Sequence, residues 1–583
     1  MKRRKKAGVF CPVFAVRRRG DLGIGDTEAV KELLQFSARY GFGIVQLLPI
    51  NETSGDNSPY NAVSSIALEP VLAACEPGLV PGLMREDLEE LIPPALRKEV
   101  SEGPVKYGMV KALKRQLMER AFDRLEFTAW GDSTGERFAE FQKREAGWVE
   151  SYAWFRTIME SEGENPVWES WPEWFGSPRL AEAWLAGQSE EDQAGWKVRL
   201  RFFKFVQWVL DLQWMEVRKE ADRLGIALMG DIPFGVSRHS ADVWAHRDGF
   251  DLRWSGGAPP EPFFQPDEFT KVWGQNWGIP VYDWTVMERE KYAWWKRRVR
   301  GVVRHFHSFR IDHVLGFFRI YAFPWPPDRN QEVVSLSREE VVERFGALPR
   351  FLPGSDQVPE EAAINEAQGV ALLRIILQAA GDAVVVAEDL GVVPKYVRPA
   401  LLKLGIAGFK IPLFERNEET REYLPPEDYP EISLATFSTH DHETVLGMWE
   451  DWWKLFDRSN EADASPEEKE RGVQASWELY RTLRFAKVED RELIRDFEPR
   501  VMEGMWHRLL ACPSEMVIFS ITDLLLLRTR FNVPGPVAES NWSERLPGTL
   551  NEIEQENNFR RRLELVREGI VATGRCLEWG KAS

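Results

Sequence analysis

Short apolar runs alternate along the chain with stretches whose apolar residues recur at three- and four-residue steps. The runs are Ala7 to Val16, Phe42 to Ile50, Gly225 to Phe234, Phe309 to Val314, Ala383 to Ala387, Phe409 to Phe414, Leu434 to Thr439 and Met516 to Leu524. Each predicts a strand leading into a loop. Between them, Phe203, Val206, Leu210, Trp214, Val217 and Ala221 trace one face of a long helix. Gln368 to Ala380 predicts another, which Gly381-Asp382 terminates. Alternating strand and helix implies parallel pairing and an α/β fold. Periodicity alone admits an open sheet or a (β/α)8 TIM barrel; about seven such units favour the barrel.

Two stretches break the alternation. Residues 73–200 are helix-like and charged, with Val105, Met109, Leu113 and Leu117 at four-residue steps and a second amphipathic run from Phe138 to Ile158. They predict a helical insertion between the start of the barrel, 1–72, and its remainder, 201–583. A second helical excursion is expected at 444–510. Residues 254–284 are different: Gly256-Gly257, Pro259-Pro260, Phe263-Phe264, Trp273 and Trp277 leave few helix formers and many aromatics. They predict a long, ordered, lid-like loop.

Composition narrows the class. The chain has 583 residues, 44% hydrophobic, enough for a large core, and a formal net charge of -17. So acidic a protein is not expected to bind nucleic acid, whose phosphates call for Lys and Arg. Four cysteines, with no CxxC spacing, predict free thiols in a reducing compartment. Met1 to Lys6 is basic, and the following apolar run of about ten residues ends in Arg17-Arg18-Arg19 without a small-residue cleavage site, so a basic tail and a first strand are expected rather than a secretory signal. No later run approaches the ~18 apolar residues of a membrane span. A cytoplasmic protein without membrane contact is expected.

Three of the apolar runs end at or near a carboxylate: Asp312 in Ser308-Phe309-Arg310-Ile311-Asp312-His313, Glu388 in Val384-Val385-Val386-Ala387-Glu388-Asp389, and Asp441 in Phe437-Ser438-Thr439-His440-Asp441. Strands delivering acids to one pocket suggest chemistry at a barrel mouth. A retaining reaction at an anomeric carbon needs two carboxylates about 5–5.5 Å apart, one to attack and one to exchange a proton with the leaving oxygen. Asp312 and Glu388 lie 388 − 312 = 76 residues apart, which suits adjacent strands. Arg310, two residues before Asp312, shares its strand face and would keep it ionised. Glu388 must start protonated, so a partly desolvated carboxyl is expected there. His440, Asp441, His442 and Glu443, with His305, His307 and His313 elsewhere, could be read as a metal cluster, but no partner motif accompanies them and no metal is expected. No cofactor is required either, because two carboxylates supply both the proton transfer and the covalent intermediate.

Nine motifs, in order, resemble the amylomaltase or disproportionating-enzyme family of 4-α-glucanotransferases, glycoside hydrolase family 77. They are Asp21-Leu22-Gly23-Ile24-Gly25-Asp26, Ser58-Pro59-Tyr60, Gly230-Asp231-Ile232-Pro233, Ala241-Asp242-Val243-Trp244-Ala245-His246, Gly274-Gln275-Asn276-Trp277-Gly278, Arg310-Ile311-Asp312-His313, Ala387-Glu388-Asp389-Leu390-Gly391, Thr439-His440-Asp441, and the closing pair Asn532-Val533-Pro534-Gly535 and Asn541-Trp542. The resemblance implies Asp312 as nucleophile, Glu388 as general acid/base and Asp441 as the stabiliser that grips sugar hydroxyls. It implies Arg310, Asp231 and His440 as supports of the sugar at the cleavage point, and Tyr60, Gln275 and Trp277 as lining of the groove. His313, Asp389 and Asn532, inside the same motifs, are implied as further sugar contacts. The partners implied are maltose, malto-oligosaccharides and glycogen or another branched glucan. The resemblance makes 73–200 the family's insertion into the barrel. Trp254, Phe263, Phe264 and Trp277 are candidates to shield the intermediate from water.

The chain departs from the common bacterial pattern at His442 and Glu443. Gly274 to Pro280 and Ile311 to Arg319 look more like the plant cytosolic form, here without that form's starch-binding domains. Two rivals remain from the residues: an α-amylase-type hydrolase using the same acids, and a catalytically silent glucan-binding protein.

Overall fold

Eight parallel strands close into a barrel in the order β1-β12-β11-β10-β9-β6-β3-β2. In this computed structural model, which describes residues 5–128, 130–261, 266–488, 493–535 and 540–576, the strands run β1 (Lys6–Phe10), β2 (Ile44–Gln46), β3 (Ala227–Pro233), β4 (Phe250–Ala258), β5 (Gln275–Tyr282), β6 (Ser308–Asp312), β7 (Ile320–Phe323), β8 (Arg350–Leu352), β9 (Val384–Ala387), β10 (Ala407–Lys410), β11 (Ser433–Ala435) and β12 (Met516–Ser520). Barrel strands are short and buried on both faces, so they read as unbroken apolar runs rather than alternating ones. The seam closes where β1 pairs with β12, from Lys6 opposite Met516 to Phe10 opposite Ser520.

Helices cover the barrel. The helix Thr27–Arg39 starts at Asp26, whose carboxylate accepts the Glu28 and Ala29 N–H groups. Between β2 and β3 lie the helices Tyr107–Phe127 and Asp132–Ser161. Val105, Leu113 and Leu117 are buried there, in one core with the barrel. The boundary expected at 200 falls inside the single helix Glu190–Leu224, which packs against Thr27–Arg39. In the stretch 444–510 stand Val445–Ser459, Pro466–Phe485 and Arg500–Ala511. No helix among the described residues is long and apolar enough to cross a membrane, and the four cysteines are free.

The segment expected to be a loop, 254–284, instead carries strand at both its ends, in a second, four-stranded sheet. β4 and β5 pair antiparallel, and the sheet order is β5-β4-β7-β8. Gly256 and Gly257 suggested a loop, but here glycine permits close strand packing: a Cβ on Gly257 would lie 1.8 Å from the Gln275 carbonyl oxygen. Pro280 is tolerated because β5 is an edge strand. Phe263 and Phe264 lie outside the described residues. Trp254 lies beneath the Arg350 guanidinium, 5.0 Å from its ring centre, which engages it within the sheet.

Candidate active site

β6 ends at Asp312, and its register against β3 sets Asp231 opposite Arg310. Arg310 and Asp312 share a face by the period of two. The buried Arg310 guanidinium spans both acids, with Nη1 donating to Asp231 Oδ2 (2.5 Å) and Nη2 to Asp312 Oδ1 (2.5 Å). Burial works against the charge on Arg310, but Asp231 and Asp312 outweigh it and hold its pKa far above the ordinary value. Tyr60, on the loop after β2, donates its hydroxyl to Asp231 Oδ2 (2.7 Å). Burial pushes Asp231 up to about 7 against the pull of Arg310, and its Oδ1 is buried without a hydrogen-bond partner.

β9 pairs with β6 so that Ile311 faces Ala387, and Glu388 therefore leaves its strand beside Asp312. The Glu388 carboxyl accepts the His313 N–H at Oε2 and the Leu390 N–H at Oε1, both at 2.8 Å. His313 presents that N–H from a left-handed backbone, φ +50°, a conformation costly for a residue with a side chain. Burial and then the Asp312 charge push Glu388 up to about 8, opposed by Arg310 and the two N–H donors. The His313 imidazole is lowered to about 4 by burial. Trp277, on β5 and 39% exposed, meets His313 edge to face at 4.7 Å, and Gln275 Oε1 accepts the Trp277 indole N–H (3.1 Å).

The third acid is not at a strand end. β11 stops at Ala435, and Asp441 lies six residues on, in a loop. Asn532 Nδ2 donates to Asp441 Oδ1 (2.6 Å), and His440 Nε2 lies 3.2 Å from Oδ2. Burial alone would raise Asp441, but His440, the Asn532 amide and His442 hold it below the usual carboxylate value. The buried His440 ring stacks on Tyr60, 5.0 Å between centres and 13° from parallel.

Asp312, Glu388, Asp441, Asp231, Arg310, Tyr60, His440 and Asn532 thus form a connected set, with Trp277, Gln275 and His313 along one side. Asp389 is not in it. Its side chain turns to the opposite face of the strand exit, where it accepts the Phe409 N–H (2.7 Å) and Arg398 Nε (3.0 Å) and is 1% exposed. Several partners escaped the sequence pattern. Trp542 packs against both Tyr60 and His440, at 5.9 and 5.7 Å. Arg530 donates to the Asp441 carbonyl (3.0 Å). His442 Nδ1 lies 2.8 Å from Thr439 Oγ1, with its ring 5.1 Å from that of the half-exposed Phe414. Trp542, inside a motif, and His442, at the departure from the common bacterial pattern, carried a signal; Arg530 carried none. Among the described residues no cluster of three His, Cys, Asp or Glu is arranged to hold a metal; His305 and His307 are engaged with Asp211 and Asp222.

A closed (β/α)8 barrel with two neighbouring acids in contrasting company at its rim, one ion-paired to Arg310 and one held by backbone N–H groups, and a third acid gripped beside stacked rings, defines a carbohydrate-active enzyme. The family model for 4-alpha-glucanotransferase (Glyco_hydro_77) matches residues 11–551, and the chain belongs to that family of glucan-transferring enzymes. It is 28% identical over 576 residues to a 4-alpha-glucanotransferase of Chlamydia pneumoniae, covering 97% of this chain and 96% of that one. It is 31% identical over 328 residues to a 4-alpha-glucanotransferase of Oryza sativa subsp. japonica, covering 54% of this chain and 32% of that one. The fold is shared with the amylomaltase from Streptococcus agalactiae, solved in complex with acarbose (TM-score 0.72, 22% identity, covering 98% of this chain and 100% of that one).

Proposed function

We propose that this chain transfers α-1,4-glucan segments between malto-oligosaccharides by double displacement, with Asp312 as nucleophile and Glu388 as acid and base. Asp312 attacks the anomeric carbon while protonated Glu388 gives its proton to the departing O4. The bond from Asp312 to the sugar is the covalent intermediate. Deprotonated Glu388 then takes the proton from an acceptor 4-hydroxyl, which attacks, releases Asp312 and restores the starting state. Asp441, kept ionised, grips sugar hydroxyls as the ring distorts. No cofactor takes part.

The single observation that supports this division of labour is electrostatic. The two neighbouring carboxyls have opposite company: Asp312 is ion-paired to Arg310, whereas Glu388 is pushed up to about 8 by burial and by Asp312. Maltose, maltotriose and glycogen are the donors and acceptors we propose. Trp277 and His313 are proposed to shield the intermediate from water, favouring transfer over hydrolysis. The free thiols fit a cytoplasmic location. We further take 73–200 as a helical insertion that braces the Tyr60 loop, since Arg156 ion-pairs with Glu52 (2.9 Å) at the start of that loop.

Maltotriose, given as sole substrate, tests the reaction. A ladder of longer glucans with little gain in reducing ends is expected; a steady rise in reducing ends without longer products would overturn transfer. Asp312→Asn should lower turnover by more than about 10³-fold while glucan binding persists, measured by kinetics and calorimetry on one preparation.

A further inference from the structure

The loop carrying Glu388 is held from outside the barrel. Its residue Val392 is gripped on both sides. Burial raises the Glu261 carboxylate, just beyond the end of β4, and the nearby Val392 N–H opposes that rise. The Val392 carbonyl accepts Arg319 Nη2 (3.2 Å), just before the start of β7. Both grips therefore come from segments that flank strands of the antiparallel sheet.

Neither grip is casual. Gly391, at φ +83°, carries the loop beneath Glu261, whose Oε1 lies 3.0 Å from where a Cβ on Gly391 would stand. Arg319 is 4% exposed. Its Nε donates to Asp356 Oδ2, and its guanidinium lies 4.1 Å from the centre of the Phe351 ring on β8. Asp356 is itself fixed, accepting the Tyr396 hydroxyl (2.6 Å) and Asn365 Nδ2 (3.1 Å) at Oδ1. A side chain held by Asp356 and by the Phe351 ring sets the position of what its Nη2 holds. That donor holds Val392, two residues from the Leu390 N–H that fixes Glu388 Oε1.

We infer that Glu261 and Arg319 form a clamp on Val392 and are positioning residues for Glu388, through which the antiparallel sheet sets the aim of the proton donor. Neither touches the reacting atoms. The inference rests on Glu388 being the acid/base of the proposed reaction. It assigns the sheet a task besides carrying Trp277: misplacing an acid by a fraction of an ångström weakens proton transfer without disturbing the nucleophile.

Leaving groups separate these effects. Maltotriose needs a proton on its departing O4, whereas α-maltotriosyl fluoride departs with little help. In Glu261→Ala, kcat on maltotriose should fall about tenfold or more, while single-turnover fluoride release stays within about twofold of wild type. Glu261→Gln should keep both rates, because its amide oxygen still accepts the Val392 N–H. Arg319→Met should show the same split as Glu261→Ala; if it does not fold, the half-buried Glu261 decides alone. Equal losses on both substrates, or no loss on either, would overturn the clamp. Glu388→Gln is the control. If it loses both substrates alike, the assignment of Glu388 falls and takes the clamp with it. If Glu388→Gln shows the split and Glu261→Ala does not, the clamp alone fails.

Discussion

Arg310 holds two carboxylates at once, and its reach explains why neighbouring acids behave differently. It ion-pairs with Asp312 and Asp231 but not with Glu388, whose polar donors among the described residues are two backbone N–H groups. The burial of Glu388 is therefore only partly offset, and with the Asp312 charge beside it the proton stays until about pH 8. In the proposed reaction cleavage needs the protonated form, which exists below that value and is lost above it. Maltotriose cleavage should be level through neutral pH and fall by about tenfold per pH unit above about 8. First-turnover fluoride release from α-maltotriosyl fluoride should lack that alkaline limb, and stopped-flow pH profiles of the two donors would check this. At this scale the sequence was informative wherever local spacing decides orientation. Arg310 and Asp312 share a face because strands have a period of two; Asp389, past the end of its strand, was expected to face sugar and instead turns to Arg398 and the Phe409 N–H. It was uninformative where a loop intervenes. The apolar run Leu434 to Thr439 looked like one strand, but the strand stops at Ala435 and the grip on Asp441 comes from Asn532, 91 residues away.

Among the elements, the antiparallel sheet is what sequence patterning misread. Glycine and proline usually punctuate chains, and Gly256-Gly257 with Pro280 suggested irregular structure. A pair of strands can also use glycine for close approach and proline at an edge, and only the partner strand reveals which applies. The consequence is testable. An added methyl in Gly257→Ala meets the Gln275 carbonyl and Phe323, so β5 must shift, and Gln275 and Trp277 shift with it. Overpacking of this kind costs about 1–3 kcal/mol. The variant should fold, with a lower urea midpoint, and its KM for maltotriose should rise several-fold, about 1 kcal/mol of binding. An unchanged KM beside a lowered midpoint would mean that β5 does not set the groove.

Across the whole molecule, the barrel was legible because parallel barrel strands must be apolar on both faces and separated by helices. The closure was not, since nothing local says which strand meets which. It is fastened by pairs far apart in the chain: β1 on β12, and the ion pair of Asp21 with Arg545 (2.6 Å), whose side chains are 5% and 1% exposed. Asp21 opens the Asp21-Leu22-Gly23-Ile24-Gly25-Asp26 motif, which thereby has a structural use. Arg545→Met would leave Asp21 buried without that cation, a loss of about 3–5 kcal/mol. Its melting temperature should drop by several degrees, and restoring charge balance with Asp21→Asn in the same chain should recover part of the loss.

That seam also sets a clock. β1 leaves the ribosome ahead of its partner β12, which follows about 500 residues later, roughly 25–100 s at ordinary rates of synthesis. Throughout that interval the edge of β1 that β12 will cover offers unpaired backbone groups to any extended chain nearby. Asp441 has a shorter wait, because its anchor Asn532 is made 91 residues later. A ribosome-bound chain can thus own all three acids and yet be inert, and the window for misassembly closes only when the last strand arrives.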